Sequence, residues 1–594
     1  PELRRADQTR LEVRYSPTLA GAMVEALPYL IDYPHGCTEQ TLNRFLPAVL
    51  TQKTLRRMGV RLEDLAGGGA AGLDPQARDG DQPAWRRGQL NPVYSQAELD
   101  AIVATGVQRL TDMQLDDGGW GWFSGYGERS TAHTTAVVVR GLLVARDNGV
   151  EIDADVLRRG LAWLGRRQQE QLDRLANAGE DGKRRDADRP AKRYADNLDA
   201  LTHLVLTQAG EPSAAMRDRL FQDRKQLAPY SLAMLGFALH VEGGQADRRD
   251  TVLGNLLQYL VTDDENQTAY LNLPGGQWWR WYGSEYEAHA FLLKLLTATD
   301  PGGDTAAGVV KHLLASRRHA TYWNSTRDTA LVVEAMADYL QATGEGRQDL
   351  SVEVWLDGQR RKKVAISADN LMAFDNRLVI EGAAIEPGRH TLELRKRGGG
   401  RLYWNATLEN FTLEDGIAPA GLEVRVTRRL YKLTPKPATQ EVAGARGQVV
   451  RQATAAYERT ELTGAQTLQS GDLVEVELTL TSKNDYEYLL LTDEKAAGCE
   501  PVDVRSGYTG NELGAYVEYR DATVNLFLRG LARGARSVSY RLRAETPGDF
   551  SALPATVAAM YAPALRGNSG EGQVRIEDAG PDGTASGMTG AAEE

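Results

Sequence analysis

The sequence predicts a multidomain protein in which a ring of paired helices is followed by antiparallel β-sandwich domains. Three observations support this prediction. At 594 residues the chain is too long for one compact core, and typical domain sizes suggest roughly three or four domains. The period of the apolar residues changes from helical to alternating near residue 346. A turn that carries tryptophan also recurs ahead of several predicted helices.

Residues 17–345 are predicted to be helical. Apolar residues recur at steps of three and four in segments such as SPTLAGAMVEALPYLI and RDTALVVEAMADYL. The tryptophan-bearing turns read LDDGGWGWF, LPGGQWWRW and RRHATYWNS. One such unit cannot bury its apolar face alone, so units stack, and a closed ring of helix pairs leaves no uncapped end. Two polar insertions, residues 67–89 and 176–193, are expected to form surface loops.

The part of the chain after the helices is predicted to consist of strands. Apolar and polar residues alternate in SVEVWLDGQ, RHTLELRK and LYWNATLENFTL, so residues 346–418 are expected to form a small β domain. Residues 419–577 contain further alternating segments and predict a β-sandwich, with a polar linker after its first strand, GLEVRVTRRLYKL. Residues 578–594 lack aromatic residues and are predicted to be disordered.

The bulk composition restricts the class of function. Hydrophobic residues make up 42% and charged residues 25% of the chain, and no apolar run reaches the roughly 18 residues of a membrane span. A net charge of -12 argues against a nucleic-acid partner, because phosphate binding needs a concentrated basic surface. The two cysteines, Cys37 and Cys499, cannot build a disulfide framework and match no zinc-ligand spacing.

The segment YPHGCTEQTLNRF places Cys37 three residues before Gln40 at a predicted helix start. Side chains three apart lie on one helical face with Cβ atoms roughly 5–6 Å apart, so the Cys37 sulfur can approach the Gln40 amide carbon. Displacement of ammonia by sulfur would leave a cyclic thioester, and the positive end of the helix would favour the thiolate. From spacing alone other interpretations stay open: a buried structural cysteine, or capping by Thr38 or Thr41.

Several strings resemble one known family. GCTEQ resembles the thioester motif G-C-x-E-Q of the α2-macroglobulin and complement superfamily, and LPYLIDYPHGCTEQTLNRFLP is similar to the bacterial α2-macroglobulin-like proteins. LDDGGWGWF, YWNSTRDTALVVEA, AAGCEPV and PGDFSALPATVAAMYAP resemble further strings of that family, so the resemblance covers nearly the whole chain.

The resemblance implies a specific domain organisation. Residues 17–345 would form a thioester-containing α/α-toroid, a helical ring like that of terpenoid cyclases. Residues 346–418 would form the second half of a CUB-like β domain, and residues 419–577 a macroglobulin-like sandwich. Residues 1–16, with the segment TRLEVRY, would be the end of the first CUB-like segment or a linker.

The resemblance also implies a function. The chain would be the C-terminal part of a protease inhibitor rather than a catalyst, with Cys37 as the sulfur donor and Gln40 as the acyl donor of the thioester. After a protease cuts a bait region, one of its lysine amines would attack the Gln40 carbonyl in a single turnover. The bait region and the upstream macroglobulin-like domains would be partners absent from this chain. A periplasmic, extracellular or cell-surface location is implied, with no cofactor and no metal.

A stored thioester must be kept from water, which calls for shielding residues. Tyr33 and His35 lie beside the motif, and in the terminal sandwich Tyr508, Tyr516 and Tyr561 are candidates to form a lid.

Some complement relatives redirect the transfer to hydroxyl groups with a histidine roughly a hundred residues beyond the thioester. The corresponding residues 166–203 contain no histidine before His203, so direct transfer to amines is favoured.

Three alternatives remain open. An α/α-toroid enzyme would need a zinc site or an acidic cluster such as D-x-D-D or D-D-x-x-D. Asp116-Asp117 continues into Gly-Gly-Trp and matches neither of these two acidic patterns. A cysteine hydrolase would pair Cys37 with a histidine base. A scaffold that has lost its chemistry would bind partners without reacting. His133, His203 and His289 are expected to be ordinary packed or surface residues, and Cys499 a structural thiol.

Overall fold

A computed structural model of the chain describes residues 4–31, 37–59, 95–123, 127–179, 184–273, 283–317, 322–345, 349–367, 370–371, 374–411, 413, 416–443, 449–463, 467–502, 505–560 and 562–578. The chain divides into two compact units: Arg5–Phe411 forms the first, and Thr412–Glu594 with Pro1–Arg4 forms the second. Of the predicted tail, only Asp578 is described. Within the described residues, no helix is long and apolar enough to cross a membrane.

The described part of the first unit contains twelve α-helices. They are α1 (Ala20–Ile31), α2 (Thr38–Arg57), α3 (Gln96–Asp112), α4 (Ala132–Asp147), α5 (Ala154–Ala176), α6 (Asn197–Gln208), α7 (Ala214–Gln222), α8 (Pro229–Glu242), α9 (Ala246–Leu257), α10 (Glu285–Thr299), α11 (Asp304–Ala315) and α12 (Thr326–Thr343).

Six of these helices form a closed inner ring. Helix α2 packs against α4, and the contacts continue through α6, α8, α10 and α12, which returns to α2. The intervening helices pack against members of this ring, as α5 does against α4 and α6. The inner helix α8 buries ten of its fourteen residues, whereas α5 buries seven of twenty-three. A helix that is apolar on nearly every side needs partners on every side, and the predicted ring of helix pairs is confirmed.

Two of the tryptophan-bearing turns have the same structure. The indole Nε1 of Trp120 donates to the Leu110 carbonyl, and that of Trp323 donates to the Leu313 carbonyl, each at 2.7 Å. In both turns the tryptophan backbone N–H also donates to the hydroxyl of a threonine on the following helix. Both indoles are fully buried, so these tryptophans pack the repeat turns as predicted. The third turn, residues 274–282, lies outside the described residues.

One of the two predicted surface loops can be followed. The exposed residues 184–191 are tied to the end of α5 by Asn177, whose Nδ2 donates to the carbonyls of Asp186 and Arg189 at 3.0 and 2.9 Å. A surface loop is therefore confirmed there, with its ends held by side-chain hydrogen bonds. The other insertion, residues 67–89, lies outside the described residues.

The first unit also contains eight described strands. They are β1 (Arg10–Ser16), β2 (Leu260–Asp263), β3 (Thr268–Leu271), β4 (Leu350–Leu356), β5 (Gln359–Ile366), β6 (Arg377–Glu381), β7 (Leu392–Gly398) and β8 (Tyr403–Glu409). Strand β1 lies between β6 and β8, and Leu11 is opposite both Ile380 and Leu408. A second three-stranded sheet has the order β5-β4-β7, and β2 pairs with β3. The strand before the helical ring therefore pairs with strands that follow it.

The second unit consists of strands. They are β9 (Ala420–Gly421), β10 (Val424–Ala443), β11 (Val449–Glu461), β12 (Thr467–Gln469), β13 (Leu473–Ser482), β14 (Tyr486–Glu494), β15 (Cys499–Pro501), β16 (Gly507–Tyr508), β17 (Tyr516–Tyr519), β18 (Thr523–Leu531), β19 (Gly534–Ala544), β20 (Gly548–Ala552), β21 (Thr556–Ala559), β22 (Ala562–Asn568) and β23 (Gly572–Glu577). A five-stranded sheet, β11-β10-β13-β19-β15, and a seven-stranded sheet, β16-β17-β18-β14-β21-β22-β9, account for most of them. Every second residue of β13 is buried, and β18 alternates in the same way from Thr523 to Arg529, as the sequence predicts.

The prediction of a polar linker after the segment GLEVRVTRRLYKL is wrong. Strand β10 continues to Ala443 and pairs with β11, with Tyr431 opposite Glu461 and Ala443 opposite Val449. Its pairing with β13 ends at Leu433, so the remainder is a two-stranded ribbon. Backbone hydrogen bonds pair the strands of such a ribbon, and they do not require an alternating sequence that would reveal it.

Candidate functional site

Cys37 and Gln40 meet at the start of α2. Cys37 is the residue directly before the helix, and its backbone N–H donates to the Gln40 side-chain carbonyl at 3.3 Å. In return the Gln40 backbone N–H donates to the Cys37 sulfur, which completes a capping box. Both carbonyl and sulfur are thereby held on one side of the first helical turn. The structure thus brings the two residues of the sequence motif together.

The surroundings of Cys37 keep its thiol protonated. The side chain is half-buried, and burial raises its pKa, with the carboxylate of Glu39 raising it further. The backbone N–H of Gln40 lowers the pKa, as expected for a helix start, but burial outweighs it. The helix start therefore favours the thiolate, as expected, but less strongly than burial disfavours it.

A tryptophan-bearing turn holds the other side of the motif. Thr38, which is fully buried, donates from its backbone N–H to the Trp122 carbonyl at 3.0 Å and from its hydroxyl to the Gly121 carbonyl at 2.8 Å. Trp122 and Phe123 are 39% and 61% exposed beside this contact. A Cβ atom at Gly121 would lie 2.2 Å from a carboxylate oxygen of Glu128, so a larger residue there would have to displace that side chain. Sequence reasoning identified this turn as a repeat but missed its contact with the motif.

Buried charges lie near Glu39, the third residue of the GCTEQ motif. Arg327 at the start of α12 donates to a carboxylate oxygen of Glu287 at 2.5 Å. Burial raises the pKa of Glu39, and Arg327 partly offsets the rise. Burial also raises the pKa of Glu287 to about 7. Asp328 accepts from the Ser284 hydroxyl at 2.5 Å. Charged residues within otherwise apolar helical segments, such as Glu287 in EYEAHAFLLKLL, were the sequence signal for this cluster.

The histidines singled out in the sequence are packed residues. Burial lowers the pKa of His133 to about 3 and that of His203 to about 4, so both rings are neutral and weakly basic, which disfavours the cysteine-hydrolase alternative. His289 lies with Glu285 and His312 in a group spaced for a metal ion. However, its Nε2 accepts from the Leu271 backbone N–H at 2.8 Å and its Nδ1 contacts the Glu285 carbonyl at 2.7 Å. With both ring nitrogens engaged by the backbone, His289 has a structural role.

The proposed shielding residues can be followed only in part. Tyr33, His35 and Tyr561 lie outside the described residues. In the second unit Tyr508 is 72% exposed and packs edge-on against Tyr516, with ring centroids 5.4 Å apart. Cys499 is buried, and burial raises its pKa to about 11, as expected of a structural thiol.

Comparisons with known proteins agree with this architecture. The family model described as "A-macroglobulin TED domain" matches residues 15–173, and that described as "Bacterial Alpha-2-macroglobulin MG10 domain" matches residues 421–564. The chain is 25% identical over 490 residues to the alpha-2-macroglobulin homolog of Nostoc sp., which covers 80% of this chain and 23% of that protein. Together these matches support a bacterial α2-macroglobulin-like protein. Cys37 and Gln40 both fall within the first match.

Other relatives of this α2-macroglobulin-like chain are more distant. The alpha-2-macroglobulin of Escherichia coli is 22% identical over 566 residues, or 90% of this chain and 28% of that protein. The chain spans about a quarter of the length of these relatives. The crystal structure of trypsin activated alpha-2-macroglobulin from Escherichia coli is 18% identical with a TM-score of 0.45, covering 97% of this chain and 34% of that chain. The crystal structure of Salmonella alpha-2-macroglobulin reacted with methylamine is 21% identical with a TM-score of 0.40. The match covers 97% of this chain and 32% of that chain.

Proposed function

We propose that this chain is the thioester-bearing C-terminal part of a bacterial protease inhibitor. The observation that carries the proposal is the reciprocal hydrogen bonding of Cys37 and Gln40 at one helix start, inside the region that matches the TED domain model. In the proposed division, residues 17–345 are the thioester domain, residues 346–418 the second part of a CUB-like domain, and residues 419–577 a macroglobulin-like sandwich.

Formation of the thioester needs one internal acyl transfer. The Cys37 sulfur bonds to the Gln40 side-chain carbonyl carbon, the carbon–nitrogen bond breaks, and ammonia leaves with the thiol proton. Negative charge develops on the carbonyl oxygen during this step. The Cys37 backbone N–H, 3.3 Å from that oxygen, is placed to stabilise it. Because the thiol pKa is raised, proximity rather than a preformed thiolate drives the reaction.

Trapping uses the same carbonyl a second time. A lysine amine of the target protease attacks the Gln40 carbonyl carbon, an amide bond forms, and Cys37 leaves and regains a proton as a free thiol. Each chain reacts once, so the protein is an inhibitor and not a catalyst. The proposed trigger is protease cleavage of the bait region, which would lie with the upstream macroglobulin-like domains of the same protein. The proposed location is the periplasm, the cell surface or the extracellular space, where foreign proteases are met.

Intact-mass measurement tests the thioester directly. The freshly purified chain is expected to be lighter than its sequence by one ammonia, to gain one methylamine on incubation, and to release one thiol at Cys37. The Cys37→Ser variant is expected to have its full encoded mass and to take up no amine. Cys499→Ser is the matched control, because it removes the other thiol and keeps the motif. Full mass in the wild-type chain, with Cys37 open to alkylation from the start, would refute the proposal.

Thr38 should protect the stored bond. The variant Thr38→Val loses the hydroxyl bond to the Gly121 carbonyl and is expected to loosen the turn that carries Trp122. With about 1 kcal/mol for one such bond, the half-life of the thioester in buffer should fall roughly threefold to tenfold. The half-life of the thioester is measured from the release of the Cys37 thiol over time. Thr111→Val is the control, since its hydroxyl donates to the Val107 carbonyl within α3 and does not contact the motif residues Cys37 and Gln40. Equal half-lives for both variants and the wild type would rule out this role for Thr38.

A further inference from the structure

The inner ring encloses a cavity of about 40 Å³. All six inner helices line it: α2 with Asn43, α4 with Arg140, α6 with Leu201, α8 with Met234, α10 with Glu287, and α12 with Arg327. The cavity therefore lies at the centre of the ring. Apolar side chains form much of its wall, but two carboxylates and two guanidinium groups also border it.

Three buried polar atoms on this cavity have no hydrogen-bond partner among the described residues. They are Asn43 Nδ2, Arg140 Nε and Glu287 Oε2. Their residues are 6%, 6% and 2% exposed. The remaining atoms of the two charged groups are engaged, because Arg140 binds Glu334 through both terminal nitrogens and Glu287 Oε1 accepts from Arg327. A buried polar atom without a partner costs about 1–3 kcal/mol, so a ligand that bonds all three is favoured.

The pattern of donors and acceptors identifies the class of ligand. Asn43 Nδ2 and Arg140 Nε donate hydrogen, whereas Glu287 Oε2 accepts it when the carboxyl is ionised and can donate it when the carboxyl is protonated. A water molecule has two lone pairs and two hydrogens, and a typical buried water makes about three hydrogen bonds. An ammonium ion or another cation would meet two donors and is disfavoured. One water needs roughly 10–15 Å³ of such space, so the cavity has room for about three.

We propose that the centre of the ring is an ordered-water site that hydrogen-bonds Asn43, Arg140 and Glu287 and thereby positions α2. Asn43 lies three residues beyond Gln40 on α2, so the two side chains share a helical face. A directional hydrogen bond at Asn43 restricts rotation of α2 about its axis more than apolar contacts do. This rotation sets where Gln40 points. The positioning role rests on the proposed thioester chemistry, whereas the water site does not.

The variant Asn43→Leu tests both parts. Leucine has the same number of side-chain heavy atoms and the same branching but removes the donor, so the chain is expected to lose at least one long-lived buried water, as counted by magnetic relaxation dispersion of water oxygen-17. The fraction of freshly purified chains lighter by one ammonia should fall to below about half of the wild-type value, because misplacement of order 1 Å can slow an oriented reaction about a hundredfold. Leu46→Met, on the same helix and the same cavity, is the matched control and should change neither quantity.

The outcomes separate the two claims. Loss of water together with loss of the thioester supports the proposal. An unchanged water count, or a high-resolution crystal structure of the wild-type chain without water bonded to Asn43 Nδ2, overturns the water site. Loss of water with an unchanged thioester fraction overturns the positioning role. If the wild-type chain itself carries no thioester, the proposed function and the positioning role fail, and the water count alone decides the site.

Discussion

Replacing Glu334 with leucine is expected to destabilise the first unit by about 3–5 kcal/mol, the usual cost of leaving buried charges without their partner. Glu334 is buried on α12 and accepts from Arg140 at 3.0 and 2.5 Å and from Lys294 at 2.8 Å. Burial opposes its ionisation, but Arg140 and Lys294 lower the pKa of Glu334 to about 2. In Glu334→Leu both cations stay buried. Lys294 keeps a carboxylate partner, Asp338, whereas Arg140 keeps none among the described residues.

Urea unfolding followed by tryptophan fluorescence measures this effect. All ten tryptophans precede residue 412, so the signal reports the first unit. Glu170→Gln, which breaks the exposed pair with Arg167, is the control and should leave the unfolding midpoint nearly unchanged. Replacing Glu334, Arg140 and Lys294 together with apolar residues of similar size should recover part of the loss. A Glu334→Leu chain as stable as the wild type would show that the ion pairs do not hold the ring.

Glu345 is expected to contribute a part of the stability of the first unit that falls as pH rises from about 4.5 to 7. This residue follows α12, is buried, and accepts from the Tyr403 hydroxyl at 2.5 Å and the Leu19 backbone N–H at 3.3 Å. Burial raises its pKa from 4.5 to about 7. The folded chain therefore keeps a proton on Glu345 at pH values where the unfolded chain has lost it. Its stabilising contribution is full below about pH 4.5 and is lost as pH rises through 7.

The variant Glu345→Gln isolates this contribution, since an amide does not ionise. Between pH 4.5 and 8 the unfolding free energy of the wild type should fall by about 3 kcal/mol more than that of the variant, which is the difference between the two pKa values expressed as energy. Other titrating groups are common to both proteins and cancel in the comparison. Glu211→Gln, at an exposed position, is the control and should follow the wild-type profile. Parallel profiles for wild type and Glu345→Gln would contradict the expectation.

The helical ring shows how much of the fold the spacing of apolar residues predicts. Spacings of three and four residues predict the helices, and the recurring tryptophan turns predict that they stack as repeats. The equal contacts of Trp120 and Trp323 support that interpretation. The ribbon of β10 and β11 was missed because its pairing rests on backbone hydrogen bonds. Such bonds form between main-chain groups and need no particular pattern of side chains.

The local sequence predicts one part of the candidate site and does not predict the other. Cys37 and Gln40 are three residues apart, so one helical turn is enough to bring them together, and local sequence predicts it. The charges on the ring axis lie far apart in the chain, as Arg140 and Glu334 do. Charged residues in apolar segments indicate that a buried partner exists. They do not indicate which residue it is.

By itself, the sequence determined the helical and β regions, the tryptophan repeats, and the pairing of a thiol with an amide at a helix start. These features depend on residues close together in the chain, whose geometry follows from the backbone alone. The tertiary structure decided which helices close the ring, that Thr38 binds the turn at Trp122, and that Glu287, Arg140 and Asn43 face one cavity. It also decided that burial raises the pKa of Cys37, because desolvation depends on every element packed around the thiol.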